Sequence, residues 1–559
     1  MTETRTRNRA RLVTLAAVAA AAAILAAQLL VPPIVGLPNN GQFERVLGYA
    51  GLNYQSDASE DKYFTHIVRE FRIVPIWFRS GYLSSEIALA RLARDLAAPF
   101  AKDGLFDLRV LGALHALLLL AALAALVWAC GVLTPVAQLV AAASLTFFFT
   151  DVGYAAALNS FFSQTAGFLF LMLTVAIAAL AIRRGRLGGM LLLAYFLCAI
   201  AFVGSKPQES IQGPLLALFA LRLAGARRRS WWRQPVVWLA FLLCLFSVWY
   251  DRRTDPVIRR AALYQTVFAE MLPGSPDPAR DLETLGLDPD LARYSGKSAH
   301  EMRATIHGPA FQKEFFDRVG FGDIVAFYAV RPGRLLDRLS RAAHHGGLRL
   351  RPRLRGNFER TAPGYRPYLM TERFAAWSDL RFRLAPVAPA WLILLLGGSL
   401  AVSAAGWRRS SGRGRLLREA MMCLVFLAVV EFLVCAFADR LADVARHLFV
   451  FHALCDLILA ANLTWCAQTA AVLRRPVSTR TPPNHREGAS MKRIGICVLV
   501  LSVGLVAGCQ KSEAEKTREA AEEAREKAEQ AVRDGAGDKA ADAAKKAAED
   551  LQKAVTPGH

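Results

Sequence analysis

The sequence predicts an all-α membrane protein. About ten transmembrane helices carry a large loop domain outside the membrane, followed by a lipoprotein-type signal helix and a solvated C-terminal helix. Three observations predict it. Of 559 residues, 54% are hydrophobic and 20% charged, which excludes a disordered chain and argues against a purely soluble one. The apolar residues gather in runs such as 12–31, 110–132, 420–438 and 448–472, each near the roughly 20 residues a helix needs to cross a bilayer. The arginines stand in blocks beside these runs: Arg5 to Arg11, Arg183 to Arg186, Arg227 to Arg229, Arg408 to Arg415, and Arg474 with Arg475. That is the footprint of cytoplasmic loops, where positive charge is retained.

The net charge of +22 does not indicate a nucleic-acid partner, because no basic stripe with interleaved aromatics accompanies it. Nine cysteines all lie in apolar segments, so neither a disulfide framework nor zinc-type spacing is present.

Alternating the runs across the membrane from a cytoplasmic N-terminus gives the organisation. Helix 12–31 leads to a first outer loop, 32–109. Helices 110–132 and 133–149 turn inside at Thr134-Pro135, and 166–182 returns to the Arg183 block. Segments 190–204 and 211–223 form a hairpin whose outer turn is Ser205-Lys206-Pro207-Gln208-Glu209. Helix 236–250 completes the N-terminal membrane domain, 1–250. An extracytoplasmic domain, 251–385, then mixes helical stretches such as 320–343 with Pro-Gly punctuation. The C-terminal membrane helices, 386–475, are 388–407, 420–438 and 448–472. Every large arginine block falls inside and both long polar loops outside, which predicts a multi-pass membrane protein with its N-terminus in the cytoplasm. Runs 133–149, 190–204, 211–223 and 236–250 are short, which suits tilted or re-entrant segments.

After a polar linker, 476–490, residues 491–559 read as a second unit. Met491-Lys492-Arg493 is a charged start, 494–505 an apolar core, and Val506-Ala507-Gly508-Cys509 has the small residues that precede a lipidated cysteine, so 491–508 resembles a bacterial lipoprotein signal. Segment 510–559 holds ten basic and twelve acidic residues and no aromatic ring. Pairs such as Glu523 and Lys527 stand at helical spacing. Cys509 is therefore the expected lipidation site, on an extracytoplasmic, lipid-anchored tail; an uncleaved eleventh helix is the alternative.

Charged and aromatic residues where spans meet an outer loop carry the functional signal, since isolated charges there are costly. Three clusters qualify. Leu37-Pro38-Asn39-Asn40-Gly41-Gln42-Phe43-Glu44 follows the first span. Thr150-Asp151-Val152-Gly153-Tyr154 ends the third and runs on to Asn159-Ser160-Phe161-Phe162-Ser163-Gln164. The hairpin turn holds Lys206, Gln208 and Glu209. Arg446 and His447 open the last span, and Glu431 and Asp456 lie within spans. Lys206, Arg446 and His447 suit a phosphate group by charge; anchoring at headgroups is the competing role for Lys206 and Arg446. Asp151 suits either chemistry or the capping of a helix.

The Asn-Asn-Gly-x-Phe segment and the Asp-x-x-Tyr…Asn-Ser-Phe segment are similar to those of multi-spanning bacterial surface-glycan hexosyltransferases of the GT-C type, including S-layer glycan hexose transferases. The resemblance covers residues 10–470. It implies a polyprenyl-linked sugar donor used at the outer leaflet, a cell-surface glycan acceptor and surrounding membrane lipids. It also implies a first-loop carboxylate acting as base or metal ligand. Glu44 and Asp151 are then the catalytic candidates; Lys206, Arg446 and His447 hold the donor phosphate, and Gln42, Tyr154, Gln164 and Glu209 line the same region. No cofactor is fixed, a divalent cation being the one the resemblance allows. Gln42 stands where the family carries Asp, and Gln164 where it often carries Glu. An amide takes no proton and lends a cation little charge, so Asp57, Glu60 and Asp61 are substitutes in the same loop. A non-catalytic carrier or assembly partner in surface-glycan export is the alternative.

Overall fold

In the computed structural model the described residues are 3–474, apart from 77–80, 186, 226–232, 300, 352–355, 439–440 and 442–443. The linker, the signal-like segment, Cys509 and the acidic helix lie outside them. The principal helices are α1 (Glu3–Leu29), α2 (Glu44–Ala50), α3 (Ser85–Ala97), α4 (Leu108–Ala129), α5 (Pro135–Phe149), α6 (Val152–Leu158), α7 (Ser163–Arg184), α8 (Met190–Val203), α9 (Gly213–Gly225) and α10 (Arg233–Arg252). They continue with α11 (Ala376–Arg383), α12 (Ala385–Trp407), α13 (Gly412–Ala438) and α14 (Phe449–Leu473).

One end of the bundle collects the arginines. Arg9 donates to the carbonyls of Gly131 (3.1 Å) and Leu133 (3.0 Å), and Arg183 donates to Trp128. Arg222 pairs with Glu419 at 2.9 Å, and Gln468 accepts from the Thr134 amide at 2.8 Å. The carbonyls that end a helix have no partner further along it, so guanidinium groups gather there. The start of α1, the α4–α5 turn and the ends of α7, α9 and α14 thus share one end. The opposite, polar end carries residues 30–107, 205–212 and 253–384.

Among the described residues, seven helices are long and apolar enough to cross a membrane: α1, α4, α7, α10, α12, α13 and α14. The α5–α6 pair makes an eighth if taken as one span bent by 62°. The ten full spans expected are therefore not reproduced. α8 and α9, of 14 and 13 residues, are only about 20 Å long against roughly 30 Å of hydrocarbon. Run 236–250 is longer than expected, the span reaching Gln234–Arg252. The bend after Phe149 has a local cause. Asp151 is extended (ψ 145°) and its carboxylate caps α6 through the Gly153 amide at 2.8 Å, so the helix stops and restarts. α7 and α14 are the most enclosed spans and α1 the least.

The fold is not wholly helical. A three-stranded antiparallel sheet, β1 (Leu52–Asn53), β2 (Glu70–Ile73) and β3 (Leu105–Asp107), sits in the first polar segment in the order β1-β2-β3. Phe71 and Phe106 are paired across it, and both rings face Phe161. Strands this short carry no readable alternation. The expected helix 320–343 is also two helices, Phe321–Ala329 and Pro332–Ala342. Pro332 has no N–H to donate and drives Arg331 out of the helical region (φ −130°, ψ 66°).

The second polar segment builds its own aromatic core from Tyr264, Phe268, Phe311 and Phe315. Buried Arg338 bonds Glu270 (2.5 Å) and the Ala436 carbonyl at the end of α13 (2.8 Å). Residues 356–374 then return to the first segment. The Ile67 amide donates to Phe358 O (2.9 Å), and Glu359 accepts from the Ile34 amide (2.7 Å) and from Arg69 (3.4 Å).

Candidate functional site

Asn39 organises the first cluster. Its Oδ1 accepts from the amides of Gly41, Gln42 and Phe43 at 2.9–3.1 Å, folding the chain into the start of α2. Gly41 takes φ +90° there, a conformation that costs any other residue energy. Asn39 Nδ2 donates to Tyr54 Oη (2.6 Å) and Glu44 Oε1 (3.0 Å), and Tyr63 Oη donates to the same Glu44 oxygen (2.9 Å). Burial, and then the Glu44 carboxylate, hold the Tyr54 phenol well above its ordinary range; burial and the hydrogen bond to Glu44 push Tyr63 up to about 12. Both phenols therefore remain donors at neutral pH. Glu44 Oε2 is buried and accepts no hydrogen bond.

Asp151 and Tyr154 belong to a second, fully internal network. Besides capping α6, Asp151 accepts from the amides of Trp377 and Ser378, each at 3.0 Å, and so caps α11 as well. Tyr154 Oη donates to Asp456 (2.6 Å), which also accepts from Trp377 Nε1 (2.9 Å) and Arg381 Nη1 (2.7 Å). Arg381 Nη2 reaches His452 Nδ1 at 2.6 Å. Asp456, Arg381 and His452 are all fully buried. Every oxygen of both carboxylates is in use, which is the signature of a structural joint between α6, α11 and α14.

The third cluster gathers two cationic side chains on one histidine. Lys206 stands in extended backbone just before the 3₁₀ turn Pro207–Gln212. Its Nζ lies 3.1 Å from His447 Nδ1, and Arg446 Nη2 lies 2.7 Å from His447 Nε2. Both ring nitrogens of one imidazole thus face obligate donors. A neutral imidazole has a single acceptor lone pair, so it satisfies one cation at most. Two cations thus meet on one histidine, an arrangement with local positive charge. Beneath them, Gln208 and Gln212 tie the buried Glu431 to the turn, and Gln212 also reaches Glu209.

The N-terminus of α7 joins these parts. Phe43, next to Glu44, packs on Phe162 with centroids 4.8 Å apart, and the Arg446 guanidinium lies 6.0 Å from the same ring. Arg45 lies over Tyr82, whose hydroxyl donates to Ser163 at 3.0 Å, and Ser84 donates to the Ser205 carbonyl at 2.6 Å.

A family model describing the YfdI N-terminal transmembrane domain matches residues 2–486. The chain belongs to that family. All three clusters lie within the matched domain, and the signal-like segment with Cys509 lies beyond it. No match is found among curated proteins. The domain is thus a multi-spanning transmembrane one, in agreement with its described helices.

Of the expected site residues in this YfdI-type domain, the structure brings Lys206, Arg446 and His447 into one cluster, with Glu209 adjoining it through Gln212 and Glu431. Glu44 sits apart among Asn39, Tyr54 and Tyr63. Asp151 and Tyr154 bond to the second polar segment and α14, and neither they nor Glu44 contact Lys206. Gln42 contributes its backbone amide to the Asn39 turn. Gln164 is buried in the first turn of α7. Sequence reasoning did not single out Tyr54, Tyr63, Arg381 or His452. The signal for Arg381 was the unpaired Asp456 in a span, which demands a cationic partner from somewhere. A third buried pair was likewise missed: Glu86 of α3 against His115 of α4, at 3.3 Å. Among the described residues no group of three or more His, Cys, Asp or Glu side chains is arranged to hold a metal ion.

Proposed function

We propose that the protein is a membrane glycosyltransferase-like enzyme that moves a hexose from a polyprenyl-linked donor onto a cell-surface glycan. The observation that carries this reading is the convergence of Lys206 and Arg446 on His447. On this reading they take the donor's phosphate oxygens, and the lipid tail runs between neighbouring spans. The polar end faces outside, as the gathering of arginines at the other end supports. Glu44 is the carboxylate of the first outer loop and serves as the base that accepts the acceptor hydroxyl's proton; Asp151 positions α6 and α11. Residues 491–508 are a signal that delivers Cys509 to the outer surface for lipidation.

The test is hexose transfer from a polyprenyl phosphate sugar by the full chain in nanodiscs. Lys206→Ala and Arg446→Ala should raise the donor KM at least tenfold, and Glu44→Gln should lower kcat with KM unchanged. A deletion strain should lose a surface glycan component and accumulate the lipid-linked sugar; unchanged profiles would overturn the proposal. The competing reading is a non-catalytic carrier of the same lipid-linked glycan, favoured by the amides at Gln42 and Gln164. A carrier tolerates Glu44→Gln and fails with Glu431→Gln, the reverse of the enzyme. For the tail, mass spectrometry decides: an unmodified Cys509 still joined to Gly508 would end the lipoprotein reading.

A further inference from the structure

Glu209 and Glu431 come from different elements, the 3₁₀ turn after α8 and the middle of α13, and both are fully buried. Their carboxyl groups crowd onto one amide: Gln212 Nε2 lies 3.2 Å from Glu209 Oε2 and 2.5 Å from Glu431 Oε2. Two ionised carboxylates this close in a buried site repel each other, and one proton held between them relieves it. The surrounding donors are distributed unequally. Glu431 accepts from Gln208 Nε2 at 3.1 Å and from Gln212 Nε2 at 2.5 Å, one bond on each oxygen, with Cys435 Sγ at 3.7 Å. Glu209 receives only the weaker Gln212 contact at 3.2 Å on Oε2, and its Oε1 is buried with no partner. An orphaned oxygen is tolerable on a neutral acid and costly on a buried carboxylate.

We propose that Glu209 and Glu431 form a buried one-proton site, with Glu209 the carboxylic acid and Glu431 the carboxylate it donates to. The titratable groups around the pair fit that assignment. Lys206 precedes the turn and supplies one positive charge, which balances one carboxylate and not two. The His447 carbonyl, Cys435, Tyr82 and Tyr250 face the pair from the other packed elements. The proton keeps the pair at a single negative charge.

The experiment is isotope-edited infrared spectroscopy of the full chain in nanodiscs, with glutamate labelled at its side-chain carboxyl. At pH 7 the wild type should show a protonated-carboxyl band that shifts in deuterated buffer. It should be lost in Glu209→Gln and in Glu431→Gln, because in the second variant Glu209 faces Lys206 without a carboxylate and ionises. The spectra are recorded in a Glu86→Gln background, which removes the other glutamate fully buried among the described residues; no such band there, or a band surviving in both variants, would overturn the proposal, and the background spectrum decides if a variant fails to fold. One consequence rests on the anion-site reading. Affinity for inorganic pyrophosphate should fall about tenfold as pH rises through the loss of the band, the effect of one charge roughly 10 Å away at an effective dielectric near 20. Pyrophosphate affinity that ignores that transition would refute the anion site and leave the acid pair standing.

Discussion

Asp456→Ala tests whether the internal network is the joint of the polar end. The substitution removes the acceptor for Arg381 Nη1 at 2.7 Å, Tyr154 Oη at 2.6 Å and Trp377 Nε1 at 2.9 Å. The Arg381 and Asp456 side chains are 1% and 0% exposed, so water does not replace the lost partner. An unpaired buried charge costs about 3–5 kcal/mol, and the orphaned tyrosine and indole donors add about 1 kcal/mol or more. A loss of at least about 4 kcal/mol is expected, roughly a thousandfold in the unfolding equilibrium. The double variant Arg381→Leu/Asp456→Leu leaves no buried ion pair and orphans the Tyr154 and Trp377 donors and the His452 ring nitrogen, so it should lose about 3 kcal/mol, less than the single variant. Equilibrium unfolding in mixed micelles, followed by tryptophan fluorescence, reads the difference. A single variant within 1 kcal/mol of wild type, or a double variant as unstable as the sum of its parts, would refute the reasoning.

Three further outcomes are expected. Asp151→Ala orphans the amides of Gly153, Trp377 and Ser378 and should cost about 2 kcal/mol or more, with Asp151→Asn intermediate, in the same unfolding assay. Gly112→Ala places a methyl against the Asn159 amide, whose Nδ2 bonds the carbonyls of Leu29 (3.0 Å) and Val35 (2.8 Å); overpacking of about 1–3 kcal/mol should appear as a lowered Tm, whereas Gly188→Ala, with open space around it, should be neutral. Acidification should loosen the seam between the polar segments in two steps. Burial, and then Arg360, hold His66 below its ordinary range, so its contribution is present above about pH 6.5 and fades as it protonates. Hydrogen bonds from Ser56 and then Arg360 lower Asp61, whose contribution persists until the pH falls below about 4. Protection of residues 56–66 against hydrogen exchange, relative to the intrinsic rate at each pH, should fall from pH 7 to 5 and again to 3.5, and unchanged protection would contradict it.

The sequence by itself determined the class of the fold and its polarity. Long apolar runs can only be buried in lipid or protein, and arginine blocks resist crossing, so periodicity and charge locate α1, α4, α7, α13 and α14 and gather their basic ends together. It also marked Asn39-Asn40-Gly41 as a polar segment following the first span, and it pointed to Lys206, Arg446 and His447 by charge at the ends of apolar segments. Tertiary structure alone decided the rest. Lys206 and His447 are 241 residues apart, and only the packing of the 3₁₀ turn against the start of α14 brings them to 3.1 Å. Asp151 looked equally suited to catalysis and to capping until Trp377 and Ser378 arrived from 226 and 227 residues away to use its second oxygen. The small sheet, the break at Pro332 and the shortness of α8 and α9 were hidden for related reasons. Two-to-four-residue strands carry no period, and hydropathy measures how apolar a segment is, not whether the neighbours around it are lipid or other helices. Composition is local, whereas a site is made by the contacts that burial enforces between distant parts of the chain.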